Sequence, residues 1–70
     1  MSGPLGISRM QFLVLMCVAG GMTFRQVGQS LHISPATAHY YMERIAAHWN
    51  LGTQDRVALV REAERRGVLQ

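Results

Sequence analysis

The sequence predicts an all-α, four-helix helix-turn-helix domain. Three observations carry that prediction: two capping boxes in succession, a Ser-Pro helix start directly after a short turn, and an apolar stripe at helical spacing. Seventy residues allow one domain at most. The expected organisation is a flexible N-terminus over residues 1–6 followed by the helical domain over 7–70.

The first helix starts in Ile7-Ser8-Arg9-Met10-Gln11-Phe12. A Ser side chain there accepts from an unpaired amide, and Gln three residues on reaches back to the Ser amide. Ile7 and Phe12 stand at the staple positions. The helix should run through Ala19 and stop at Gly20-Gly21, where a glycine can take the left-handed conformation that closes a helix. Met22-Thr23-Phe24-Arg25-Gln26-Val27 repeats the grammar, with Thr23 as cap, Gln26 as its partner, and Met22 and Val27 as staple.

This second helix should be short, about Phe24 to Leu31, with His32-Ile33 as the turn before Ser34 caps a third helix that has Pro35 at its first position. Over 35–49 the third helix brings Ala38, Met42, Ile45 and Trp49 onto one narrow stripe, the expected core seam. Asn50-Leu51-Gly52 ends it. Thr53 or Asp55 can cap a fourth helix whose Val57, Leu59, Val60 and Ala63 share a broad apolar face, and Gly67 stops that helix.

Composition narrows the function classes. The chain is 49% hydrophobic and only 16% charged, too apolar for a disordered tail, and some of that apolar surface is expected to meet a partner. A net charge of +3 suits a polyanionic partner such as nucleic acid and is also ordinary solubilising charge. All seven cations are Arg. Arg's preference for phosphate and a GC-rich codon bias both fit, and codon bias is the favoured reading. The lone Cys17 cannot form an internal disulfide and reads as a buried small hydrophobe in a reducing cytoplasm. Phe12 to Ala19 is too short for a bilayer span, and the residues before Cys17 do not form a lipoprotein box, so neither membrane insertion nor secretion is expected.

The segment from Gly21-Met22-Thr23-Phe24-Arg25-Gln26-Val27-Gly28 through Ile33-Ser34-Pro35-Ala36-Thr37-Ala38 resembles the DNA-binding domain of the LuxR type, also called NarL- or GerE-like. The tail Leu51-Gly52-Thr53-Gln54-Asp55-Arg56-Val57, closing on Arg66-Gly67-Val68-Leu69, looks like that family's fourth helix, so the resemblance spans Ile7 to Leu69. Region 4 of bacterial sigma factors shares the first three helices, and the fourth favours the LuxR type.

The resemblance implies a bacterial transcription regulator, cytoplasmic and nucleoid-associated, whose third helix enters the major groove of double-stranded DNA. Ala36, His39, Tyr40 and Glu43 would then meet base edges. Helical spacing independently sets Ala36, Tyr40, Glu43 and Ala47 opposite the core stripe, with His39, Thr37 and Arg44 on the flanks. Phosphate contacts would fall to Thr23, Arg25, Ser34, Thr37 and Arg44, because helix starts offer free amides and a positive dipole end. Arg25 stands at a usual family lysine; it is equally well a solvated helix charge.

The chain also departs from the pattern. The positions of His39 and Glu43 are often Lys in the family, and that of Tyr41 is commonly His. A glutamate in a phosphate-walled groove lowers affinity unless it accepts from a cytosine amino group. The stretch from Arg44 to Gly52 is longer than usual, so the turn into the fourth helix is expected to be remodelled.

No enzyme is expected: Cys17, the three histidines and the four acids show no nucleophile–base pairing and no glycine-rich phosphate loop, and no cofactor is implied. His32, His39 and His48 lie seven and nine residues apart, which is not a metal-ligand spacing. The rival reading is a helix-turn-helix adaptor or antagonist that binds another regulator, a sigma factor or RNA polymerase. It rests on the weak charge of the third helix and on the first helix, where Arg9, Phe12, Leu13 and Met16 fall on one face while Val14, Leu15, Cys17 and Val18 face inward. Phe12, Leu13 and Met16 would contact a second copy of this chain or a different regulatory protein, unless Pro4 and Leu5 fold back over them. The family's usual dimer contact, on the fourth helix, could coexist with such a partner.

Overall fold

A computed structural model describes residues 7–52 and 55–67. They form α1 (Arg9–Ala19), α2 (Phe24–Leu31), α3 (Pro35–His48) and α4 (Arg56–Arg65), with no strand among them. The expected flexibility of residues 1–6, the fold-back of Pro4 and Leu5, the cap at Thr53, and Val68-Leu69 lie outside the described residues.

The helix starts follow from the sequence almost atom by atom. Ser8 Oγ accepts from the Gln11 amide at 3.1 Å, and Gln11 Oε1 accepts from the Ser8 amide at 2.7 Å. Thr23 and Gln26 repeat the exchange at 3.1 and 2.9 Å. Each reciprocal pair satisfies two amides that a helix start leaves open. The flanking staple residues Ile7 and Phe12, and Met22 and Val27, all join the apolar core cluster. Ser34 caps α3 with Pro35 at its first turn, and Asp55 Oδ1 accepts from the Val57 amide at 3.0 Å to start α4.

The helix ends share one device. After α1, Gly21 takes a positive φ of 93°, while the amides of Gly21 and Met22 donate to Val18 and Cys17 carbonyls. This is the paired closure that left-handed residues allow. Where glycine is absent, His32 (φ 59°) closes α2 and Asn50 (φ 57°) closes α3, with Ile33 donating to Gly28 and Leu51 to Ala46. α3 therefore ends at His48, one residue short of the expected boundary, because Trp49 serves as its cap residue.

One core collects Ile7, Val14, Leu15 and Val18 from the N-terminal side, Val27 from α2, and Leu59 and Ala63 from α4 around the α3 stripe. That stripe is Ala38, Met42, Ile45 and Trp49, widened by Ala46. α2 lies most closely on α3, α1 touches all three other helices, and α4 reaches only α1 and α3 among the closer pairings. No polar residue is buried among the described residues, though the Trp49 indole N–H lies inside without an acceptor there.

Two burial expectations are corrected. Val57 is 53% exposed, because it sits in the first turn of α4, where that helix forms the wall of an open groove with Val18, Ala19 and Val60. Cys17 is only half-buried at the edge of the core. On the far end of α4, Glu62 accepts from both Arg65 and Arg66. Those hydrogen bonds, Arg65 foremost, hold its carboxyl below the usual range. Arg66 also lays its guanidinium 5.2 Å from the centre of the Trp49 ring.

Candidate nucleic-acid interface

Sequence and packing orient α3 so that one side is committed to the core and the other is left to solvent. Ala36, His39 and Tyr40 are exposed, Tyr40 to 53%, and Glu43 is partly exposed, so the four side chains expected to meet base edges share the outward face. Ala47 continues it. The Tyr40 ring lies 6.0 Å, centre to centre, from that of the half-buried Tyr41, with the planes tilted at 56°.

His39 is the most constrained member. Its Nδ1 lies 3.6 Å from Glu43 Oε2, one helical turn along, and its ring stands edge-on to Phe24 of α2, centres 5.3 Å apart and planes at 87°. The glutamate that departs from the family pattern thus faces a residue on its own helix that can carry positive charge. The pair presents both a donor-capable imidazole and a carboxylate acceptor on the solvent side of one helix.

Of the residues expected at phosphates, Thr23, Arg25, Ser34 and Thr37 lie around the α2 and α3 starts, whereas Arg44 lies in the C-terminal half of α3. Ser34 Oγ accepts from the Thr37 amide at 3.0 Å and sits 2.8 Å from Thr37 Oγ1. One of those two hydroxyl protons is used between them, so the other is left to donate outward. Thr23 Oγ1 accepts from an amide and keeps its proton free for the same purpose. Arg25 and Arg44 are exposed.

The turn that joins the two helices has almost no slack. A Cβ on Gly28 would lie 2.5 Å from the Ile33 carbonyl oxygen and 3.3 Å from the Pro35 nitrogen. Both are backbone atoms, so only glycine lets α2 approach the start of α3 this closely.

Arg56 was not singled out by its sequence context, yet it belongs to this neighbourhood. From the first turn of α4 its Nη1 donates to the Met22 carbonyl at 3.3 Å, and its guanidinium lies 5.3 Å from the centre of the Phe24 ring. Nothing local in the sequence announces a contact between residues so far apart.

The first-helix face is narrower than its spacing suggests. Phe12 turns inward and packs against the core, Leu13 is half-buried, and Met16 is 47% exposed. Among the described residues no group of three His, Cys, Asp or Glu side chains is placed to hold a metal ion. No helix among them is long and apolar enough to cross a membrane.

The GerE family model, described as bacterial regulatory proteins of the luxR family, matches residues 6–63. No curated protein and no solved structure matches the chain.

Proposed function

The chain belongs to the LuxR family of bacterial regulatory proteins, a family of helix-turn-helix DNA-binding regulators, and from that premise we propose that it reads specific DNA sequences by laying α3 in the major groove. The observation that carries this reading is the outward face of α3. An exposed tyrosine, an exposed histidine and a carboxylate stand together on the side of α3 turned away from the buried stripe, with much of their polar surface open to a partner. In this role Ala36, His39, Tyr40 and Glu43 meet base edges, with Glu43 accepting from a cytosine amino group. Thr23, Arg25, Ser34, Thr37 and Arg44 hold the phosphates on either side. Such a regulator works in the cytoplasm, on the nucleoid.

Selection of bound fragments from random double-stranded DNA, followed by affinity measurements across salt concentrations, tests the reading. A recovered motif, with affinity falling steeply as salt rises, is the expected result. Weak binding that is flat with salt and yields no motif would sink it.

A second reading has one observation in its favour: Met16, on α1, is 47% exposed. In that reading Phe12, Leu13 and Met16 contact another copy of the chain or a second regulatory protein. Because Phe12 packs inward, the clean probe is Met16→Glu alone. It should leave the melting temperature within a few degrees of wild type while lowering the mass in solution or abolishing capture of a partner regulator. Unchanged mass and unchanged capture together would end this reading.

A further inference from the structure

We propose that Arg56 is a positioning residue for the DNA-reading face: through Phe24 it sets the orientation of the His39 ring on α3. The observations form a continuous stack across three helices. The Arg56 guanidinium, from α4, is anchored to the Met22 carbonyl at 3.3 Å and lies 5.3 Å from the centre of the Phe24 ring. Phe24, the first residue of α2, in turn stands at 87° to the His39 ring with 5.3 Å between centres. His39 then meets Glu43 at 3.6 Å.

Each link restricts the next. A cation over an aromatic face favours one placement of that ring, and an edge-to-face aromatic pair fixes the angle between its members. His39 is half exposed on an outward helix face, where an unsupported imidazole would sample several rotamers. A side chain that must offer one nitrogen to a base edge gains selectivity when its rotamer is held in advance. Arg56 supplies that hold from a helix that has no other assigned part in DNA reading. Its own guanidinium is engaged with Met22 and Phe24, which separates it from Arg25 and Arg44, exposed cations suited to phosphates.

The inference rests on the reading of His39 as a base-contacting residue, and its test keeps the two apart. The first measurement is made on the free protein by NMR: the His39 ring proton shifts and the Phe24–His39 cross-peaks in wild type, Arg56→Gln, Arg56→Lys and Phe24→Leu. Arg56→Gln should weaken the cross-peaks and move the His39 ring signals toward those of Phe24→Leu, while Arg56→Lys, which keeps a cation over the ring, should stay near wild type. The second measurement uses the DNA motif recovered by selection and its single-base variants. Arg56→Gln should lower discrimination at the His39-dependent base by about two- to fivefold, the size of one exposed cation–ring contact. In a His39→Ala background it should cause no further loss.

His39 signals in Arg56→Gln that superimpose on wild type would overturn the proposal. So would a uniform loss of affinity for all sequences with a shallower salt slope, since that marks a phosphate contact. If His39→Ala leaves base preference intact while Arg56→Gln still moves the His39 ring, the DNA reading of His39 fails and the Arg56–Phe24–His39 coupling stands.

Discussion

Along α3, Ala38, Met42, Ile45 and Ala46 retain no more than 3% of their surface, while Ala36 and Tyr40 on the opposite side of the same helix, and His39 on its flank, stand in solvent. The inner side is defined by shape. Its residues are apolar, recur with the helical period, and meet side chains from every other helix. The outer side is defined by chemistry: a hydroxyl, an imidazole and a carboxylate whose spacing matters less for folding than for what they meet. A substitution in this helix can therefore reach the fold or the proposed DNA specificity, and its position on the wheel decides which.

The largest expected effect breaks the inner side. Met42→Asp or Ile45→Asp places a carboxylate without a partner in the core and should cost roughly 5 kcal/mol or more, comparable to the whole stability of a domain this small. Circular dichroism should show no cooperative melt. A melt near wild type would mean that the buried stripe is misassigned. Gly28→Ala comes next, since its Cβ would press on the Ile33 carbonyl and the Pro35 nitrogen. A loss of about 1–3 kcal/mol by denaturant titration is expected; a neutral result would show that the turn can open.

On the outer side, His39→Ala and Tyr40→Ala should each leave stability within about 0.5 kcal/mol of wild type while removing about 1–3 kcal/mol of discrimination between bases. Arg25→Ala should do the reverse, weakening binding to all sequences and reducing the salt slope by about one. If Arg25→Ala alters base preference and His39→Ala does not, the two sides of the interface have been exchanged. The smallest effect concerns the joint between faces: His32→Gly relieves a left-handed residue and should raise stability by a few tenths to about 1 kcal/mol without altering base preference. A loss of stability there would show that the imidazole contributes more than its backbone strain removes.

How much of this was legible in the sequence depends on the range of the interaction. The caps at Ser8, Thr23 and Ser34 are contacts between residues three apart, so the pattern of Ser or Thr and Gln predicts them directly. The core seam of α3 repeats with the helix and was equally visible, apart from Ala46, whose small side chain carries little periodic signal. Val57 and Phe12 were harder. Periodicity places each near the edge of an apolar face, and only the helix lying alongside decides whether that edge is covered. The stack of Arg56 on Phe24 joins residues from different helices with no shared period, so nothing in the local pattern foretells it. The outward face of α3 was readable as a face, and the His39–Glu43 pair follows from their spacing of four residues.

Trp49 gives the molecule an optical consequence. It is the only tryptophan of the chain, only 4% exposed where α3 closes, with the Arg66 guanidinium of the α4 end against its ring. Its emission therefore comes from a site shielded from solvent and should shift to longer wavelength when α4 lifts away from α3. The side chains proposed to face DNA lie away from the buried stripe of α3, so bound DNA should barely change that colour. One unlabelled sample can thus report unfolding by fluorescence and binding by an independent signal, and the two will not be confused.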